Sequence, residues 1–157
     1  MGDSKRVLFL CNGNSARSQM AEAFLRHVGH PRFEAFSAGA RPDSDVHPQA
    51  LETLRRNGVP VDGLATKDIA MFARQTFDFV ISLCDRQREQ PSVVQGADMI
   101  YWTFCDPAES AEATARAHAF DDVFRGLERR IRLLIAVNSR RTVSAPRPVS
   151  TDASHST

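Results

Sequence analysis

Apolar residues in this chain fall into short runs separated by polar, glycine-containing turns, and the runs have two different periods. Residues 6–10, Arg-Val-Leu-Phe-Leu, form a compact apolar run directly before a polar turn. That is the pattern of a buried parallel strand. From Ser18 the period lengthens: Met20, Ala21, Ala23, Phe24, Leu25 and Val28 share one broad helical face, and Gly29 with Pro31 stops it. Residues 33–38 read as a second strand. His47-Pro48 opens a helix carrying Ala50, Leu51 and Leu54, closed by Asn57-Gly58. A short helix is expected over residues 66–74, with Thr66 as its N-cap. Strands are expected over 77–83 and 99–104. A long helix follows over 111–137, where Phe120, Val123, Phe124, Leu127, Ile131, Leu134 and Ile135 recur at three- and four-residue steps.

The order strand, helix, strand, helix, strand, strand, helix predicts an α/β fold. It is a single three-layer domain over residues 1–137, with a four-stranded parallel sheet, helices on both faces and right-handed crossovers. Ligands of such sheets bind beyond the carboxyl ends of the strands. Residues just after Leu10, Leu83 and Phe104 should therefore converge, and the three cysteines, Cys11, Cys84 and Cys105, all lie there. Residues 138–157 are rich in Ser, Thr, Pro and Arg and read as a disordered tail.

The 157 residues suffice for a core without staples. A net charge of +1 gives no general case for nucleic acid or an anionic membrane. The start of the chain lacks a signal-peptide pattern and no run is long enough to span a membrane, so a cytoplasmic location is expected. Three cysteines without a Cys-x-x-Cys pair argue against a disulfide framework, and the five histidines show no ligand-like spacing for zinc. Arg129, Arg130 and Arg132 read as a solvated helix face. A monomer is expected.

Residues 11–18, Cys-Asn-Gly-Asn-Ser-Ala-Arg-Ser, join the first strand to the first helix. Successive N–H groups in a tight loop point inward as a nest, and the following helix adds its positive end. Asn12, Gly13, Asn14, Ser15, Ala16, Arg17 and Ser18 are thus expected to hold a tetrahedral oxyanion. Gly13 and Asn14 suit the unusual backbone angles required, and Arg17 can clamp two oxygens with its planar fork. Cys11 at the base becomes a thiolate nucleophile, favoured by the same donors and by the Ser18 hydroxyl.

The run from Val7 to Glu22, Val-Leu-Phe-Leu-Cys-Asn-Gly-Asn-Ser-Ala-Arg-Ser-Gln-Met-Ala-Glu, resembles the low-molecular-weight protein tyrosine phosphatases. It resembles more closely the arsenate reductases built on that fold. Ser37-Ala-Gly39, Thr66-Lys-Asp-Ile69 and Phe104-Cys-Asp-Pro107 also match family motifs, and the likeness covers residues 7–137. It implies that Cys11 attacks arsenate, with Arg17 and the loop amides stabilising the transition state and Asp106 protonating the leaving oxygen. Cys84 matches the second redox cysteine, which would attack Cys11 and release arsenite, with Arg86 and Arg88 close by. The third cysteine of those reductases, a few residues after the second, is missing here. Cys105 on the acid loop, or a small thiol, is the substitute.

The resemblance implies an external thiol reductant (thioredoxin, mycothiol or glutathione) and an oxyanion ligand, with phosphate or sulfate as arsenate mimics. No cofactor is required, although some relatives hold a monovalent cation such as potassium at positions matching Asn14, Glu22, Ser37 and Asp68. The alternative there is that Asn14 and Ser37 brace the loop while Glu22 and Asp68 are solvated. The alternative activity is a phosphatase cleaving phosphate monoesters through a phosphocysteine. Asn12-Gly13 after the cysteine and Ala108-Glu109-Ser110 after the acid loop offer no aromatic platform for a phosphotyrosine ring, which favours the small oxyanion.

Overall fold

The computed structural model describes residues 4–84 and 98–143. The elements run β1 (Lys5–Leu10), α1 (Arg17–Gly29), β2 (Phe33–Ala38), α2 (Pro48–Arg56), β3 (Phe79–Ser82), β4 (Asp98–Tyr101) and α3 (Ala113–Val143). Short 3₁₀ turns lie at Ile69–Phe72 and Pro107–Glu109. The four strands form one parallel sheet in the order β2-β1-β3-β4.

The continuous apolar run of β1 follows from its central place, because both its faces are covered. Val7 and Phe9 point into a large cluster with α1, α2 and α3, while Leu8 and Leu10 join a smaller one on the opposite face. In the large cluster the rings of Phe24 and Phe124 meet edge to face at 5.6 Å, locking α1 to α3. Among the described residues the smaller cluster is closed by the 3₁₀ turn through Phe72, with Phe36 and Phe77 around it. The Arg6 guanidinium lies 4.7 Å and 4.8 Å from the centroids of Phe36 and Phe77. Among the described residues, three α-helices cover one face and a short 3₁₀ turn lies on the other.

Register brings the strand ends level. Leu10 stands opposite Ala38 and Ser82, and Ser82 opposite Tyr101. The loops beginning at Cys11, Gly39, Leu83 and Trp102 therefore leave the sheet at one edge.

Three elements differ from the sequence pattern by three residues or more at one end. The helix expected over 66–74 is only the 3₁₀ turn, capped by Asp68 and not by Thr66; Asp68 Oδ1 accepts the Ala70 N–H at 2.9 Å. The cause is that Lys67 to Ile69 runs alongside the end of β2: Gly39 N–H donates to Lys67 O at 2.9 Å and Ile69 N–H to Gly39 O at 3.0 Å. Extended pairing leaves no room for an earlier helical start. The fourth strand stops at Tyr101, because the later bonds to the β3 edge lose step: Trp102 N–H donates to Ser82 O, and Phe104 N–H to Leu83 O at 3.4 Å. The last helix continues past Val137 to Val143, so the start of the expected tail is helical; residues 144–157 lie outside the described part. At the other end of α3, Glu112 accepts the N–H groups of Thr114 and Ala115 at 3.0 Å and 2.8 Å. Those backbone bonds hold its carboxyl below the ordinary glutamate range.

Arg130 and Arg132 are not simply solvated. The Arg130 guanidinium lies over the rings of Trp102 and Phe104, and that of Arg132 over Phe24. Gly126 brings α3 against the loop after β4: a Cβ there would sit 2.6 Å from Phe104 Cε1. Gly126→Ala gains about 1 kcal/mol in helix propensity and loses about 1–3 kcal/mol to overpacking. We expect a small change in melting temperature and a severalfold change in the alkylation rate of the exposed Cys105, since the displaced ring immediately precedes it. An unaltered rate in this variant would show that the packing does not set the loop.

Candidate active site

The loop after β1 turns its carbonyls outward. Asn12 O accepts from Arg41 N at 3.0 Å, Gly13 O from Asp43 N at 2.8 Å, Asn14 O from Gln19 Nε2 at 2.8 Å and Ser15 O from His47 N at 2.9 Å. Among the described residues, no backbone carbonyl takes the N–H groups of residues 12–16. A peptide whose carbonyl is tied on one side presents its N–H on the other, so this loop keeps a set of inward donors for an anion. Asn14 supplies the one left-handed residue, at φ 49°, a region Asn tolerates. Gly13 serves a different need from the one expected. It is not left-handed; a Cβ on it would fall 2.5 Å from Asp43 Oδ2. Gly39 at the end of β2 is required by approach too, since a Cβ there would lie 2.4 Å from Asn12 O and 2.8 Å from Cys11 O.

Cys11 sits at the base of the loop, 3% exposed, with Sγ 2.8 Å from Ser18 Oγ. The polarity of that contact follows from its neighbours. Lys67 N–H donates to Asn14 Oδ1 at 2.8 Å and Gln19 Nε2 approaches the same oxygen at 3.1 Å, which fixes the Asn14 amide. Asn14 Nδ2 then donates to Ser18 Oγ at 2.7 Å, leaving the Ser18 proton to point at the sulfur. The sulfur thus has a hydroxyl donor fixed beside it at the base of the loop.

Arg17, in the first turn of α1, is 3% exposed. Its Nη1 donates to Phe104 O at 3.0 Å and to Leu83 O at 3.3 Å. These are the carbonyls immediately before Cys105 and Cys84. Nη2 lies 3.9 Å from Asp106 Oδ2. Asp106 uses Oδ1 to cap the second 3₁₀ turn through Ala108 N–H at 3.0 Å, and its side chain is 30% exposed. One oxygen thus fixes the carboxyl while the other lies on the Arg17 side. Cys11, Asn12, Gly13, Ser15, Ala16, Arg17 and Asp106 line a pocket of about 190 Å³, together with Arg41 and Asp43. Sequence reasoning did not single out those last two. Their signal was position, since they follow the carboxyl end of β2 as Cys11 follows β1.

Cys84 is buried, two residues beyond β3, and Cys105 is exposed; no disulfide joins the three cysteines. Arg86 and Arg88, expected beside Cys84, lie outside the described residues. Of the residues matching a cation site, Glu22 Oε1 is met by Ser37 Oγ at 3.3 Å and by Lys67 Nζ at 3.3 Å, while Asp68 serves as a cap. Glu22 is buried rather than solvated. Among the described residues no group of three or more His, Cys, Asp or Glu is placed to hold a metal, and no helix is long and apolar enough to cross a membrane.

A parallel sheet that opens at its carboxyl edge into an amide-lined loop around a cysteine is the frame of the thiol-dependent phosphatase-like proteins. Within that class, the chain belongs to the low molecular weight phosphotyrosine protein phosphatase family, whose model matches residues 6–143. It is 34% identical over 113 residues to an arsenate reductase of Shouchella clausii, covering 71% of this chain and 80% of that one. A solved arsenate reductase in its phosphate-binding state superimposes with a TM-score of 0.73 at 30% identity, over 85% of this chain and 98% of that one. A thioredoxin-dependent arsenate reductase of Corynebacterium glutamicum superimposes with a TM-score of 0.68 at 26% identity, over 87% of this chain and 64% of that one.

Proposed function

We propose that this protein is an arsenate reductase working in a reducing, cytoplasmic setting. The observation that carries the reading is the convergence of a thiol, an anion-binding loop and two further cysteines at one sheet edge, in a chain similar to arsenate reductases. The Cys11 thiolate attacks arsenic, an arsenic–oxygen bond breaks, and that oxygen leaves as water with the proton given by Asp106. Arg17 and the loop amides hold the equatorial oxygens. The Cys84 sulfur then attacks the Cys11 sulfur. The sulfur–arsenic bond breaks with its electron pair left on arsenic, which falls from +5 to +3 and departs as arsenite. The Cys84 proton goes to an arsenic oxygen, and the two sulfurs are left as a disulfide.

That disulfide forms in a buried place, where a protein reductant has poor access. Cys105 is exposed, and the residue before it is bonded to the residue before Cys84 through Phe104 N–H and Leu83 O. In this reading the Cys105 thiolate attacks the Cys84 sulfur and Cys11 leaves as a thiolate. The Cys84–Cys105 disulfide is then reduced by an external dithiol protein or low-molecular-weight thiol. Cys105→Ser is expected to keep one arsenite per chain in a single turnover and to lose about tenfold or more in steady state with thioredoxin. Full steady-state turnover in this variant would remove Cys105 from the relay and leave the reductase intact.

The activity itself is tested by following arsenite release with thioredoxin, glutathione and mycothiol systems, against hydrolysis of p-nitrophenyl phosphate. Turnover of arsenate with at least one system is expected. Ready hydrolysis of the ester with no arsenite from any system would assign the site to phosphate monoesters instead.

A further inference from the structure

We propose that Lys67 is a positioning residue whose ammonium acts as a built-in cation for the oxyanion loop, so that the site needs no external monovalent cation. This rests on the reading of residues 11–18 as an oxyanion site. The starting observation is Glu22, a carboxylate on α1 that is 2% exposed. A buried carboxylate on the helix that follows the anion loop opposes a bound anion unless a positive charge offsets it. Lys67 Nζ is 3.3 Å from Glu22 Oε1 and also donates to Ala65 O at 2.7 Å; the side chain is 20% exposed. Among the described residues, Arg26 also reaches Glu22, at Oε2 and 3.4 Å, from a side chain 47% exposed, where solvent screens it.

The same lysine holds the loop through its backbone. Its N–H donates to Asn14 Oδ1 and its carbonyl accepts from Gly39 N–H at 2.9 Å. The ammonium therefore ties to α1 the residue whose N–H sets the Asn14 amide, and through it the Ser18 hydroxyl at Cys11. Ser37 adds only a neutral hydroxyl to Glu22 Oε1, so the charge is balanced chiefly by Lys67.

The test uses inorganic phosphate protecting Cys11 from alkylation by iodoacetamide, which requires no arsenate turnover. Protection is compared in tetramethylammonium chloride and potassium chloride at equal ionic strength. The wild type should bind phosphate equally in both. Lys67→Met should bind about tenfold or more weakly in tetramethylammonium, and should recover much of that loss either in potassium or when combined with Glu22→Gln. The double variant removes both charges, so it remains informative if the single variant does not fold. A wild type that needs potassium would overturn the proposal. So would a Lys67→Met protein with unchanged affinity, or a double variant no better than Lys67→Met. A wild type that phosphate does not protect at all would instead remove the oxyanion reading on which the proposal stands.

Discussion

Cys11→Ser is expected to abolish arsenite formation, with a loss of about 10⁴-fold or more, while the protein still folds and still binds phosphate. A serine oxygen fits the space of the sulfur and keeps a hydrogen bond to Ser18, which sits 2.8 Å from Sγ. It is not ionised at neutral pH, and it cannot form the sulfur–sulfur bond that lets arsenic keep an electron pair. The loop does not depend on the thiol for its shape, because its carbonyls are tied by Arg41, Asp43, Gln19 and His47. Binding and chemistry should therefore separate: phosphate affinity within severalfold of wild type, and no arsenite in a single turnover. Measurable arsenite from the variant would mean that another thiol makes the first attack.

Arg17→Lys is the second large effect. The guanidinium spends Nη1 on the carbonyls of Leu83 and Phe104 and turns Nη2 toward Asp106. A lysine keeps the charge, but its ammonium cannot span two carbonyls and still present a planar pair of donors to an oxyanion. Arg17 also joins the segments after β3 and β4 that carry Cys84 and Cys105, so in the proposed relay the substitution loosens those thiols as well. A fall in kcat of about 10²–10³-fold is expected, with a weaker effect on phosphate binding. If Arg17→Lys retained most of its turnover, charge alone would suffice and the fork geometry assigned to Arg17 would be wrong.

Much of this was legible in the sequence, for identifiable reasons. The apolar run of β1 and the wide face of α1 are set by burial on both sides of the sheet, and periodicity reports burial directly. The loop between them could be read because strand, glycine, arginine and helix must occur together to bind an anion. Other features depended on contacts distant in sequence. The 3₁₀ turn starts late because Lys67 and Ile69 pair with Gly39, a partner no local pattern reveals. The space reserved at Gly13 is set by Asp43, and that at Gly39 by Asn12 and Cys11. The role of Glu22 changed most: as one acidic residue on a helix it reads as solvated or as a ligand, whereas in the fold it is buried beside an ammonium.

The central event of the proposed reaction is the passage of electrons from Cys11 and Cys84 to arsenic. It is tested by a single turnover of fully reduced protein with arsenate and no external thiol, followed by rapid alkylation and peptide mass analysis. One arsenite per chain should appear, with Cys84 in a disulfide to Cys11 or to Cys105 and the remaining cysteine alkylated. No arsenite, with all three cysteines alkylated, would contradict the account.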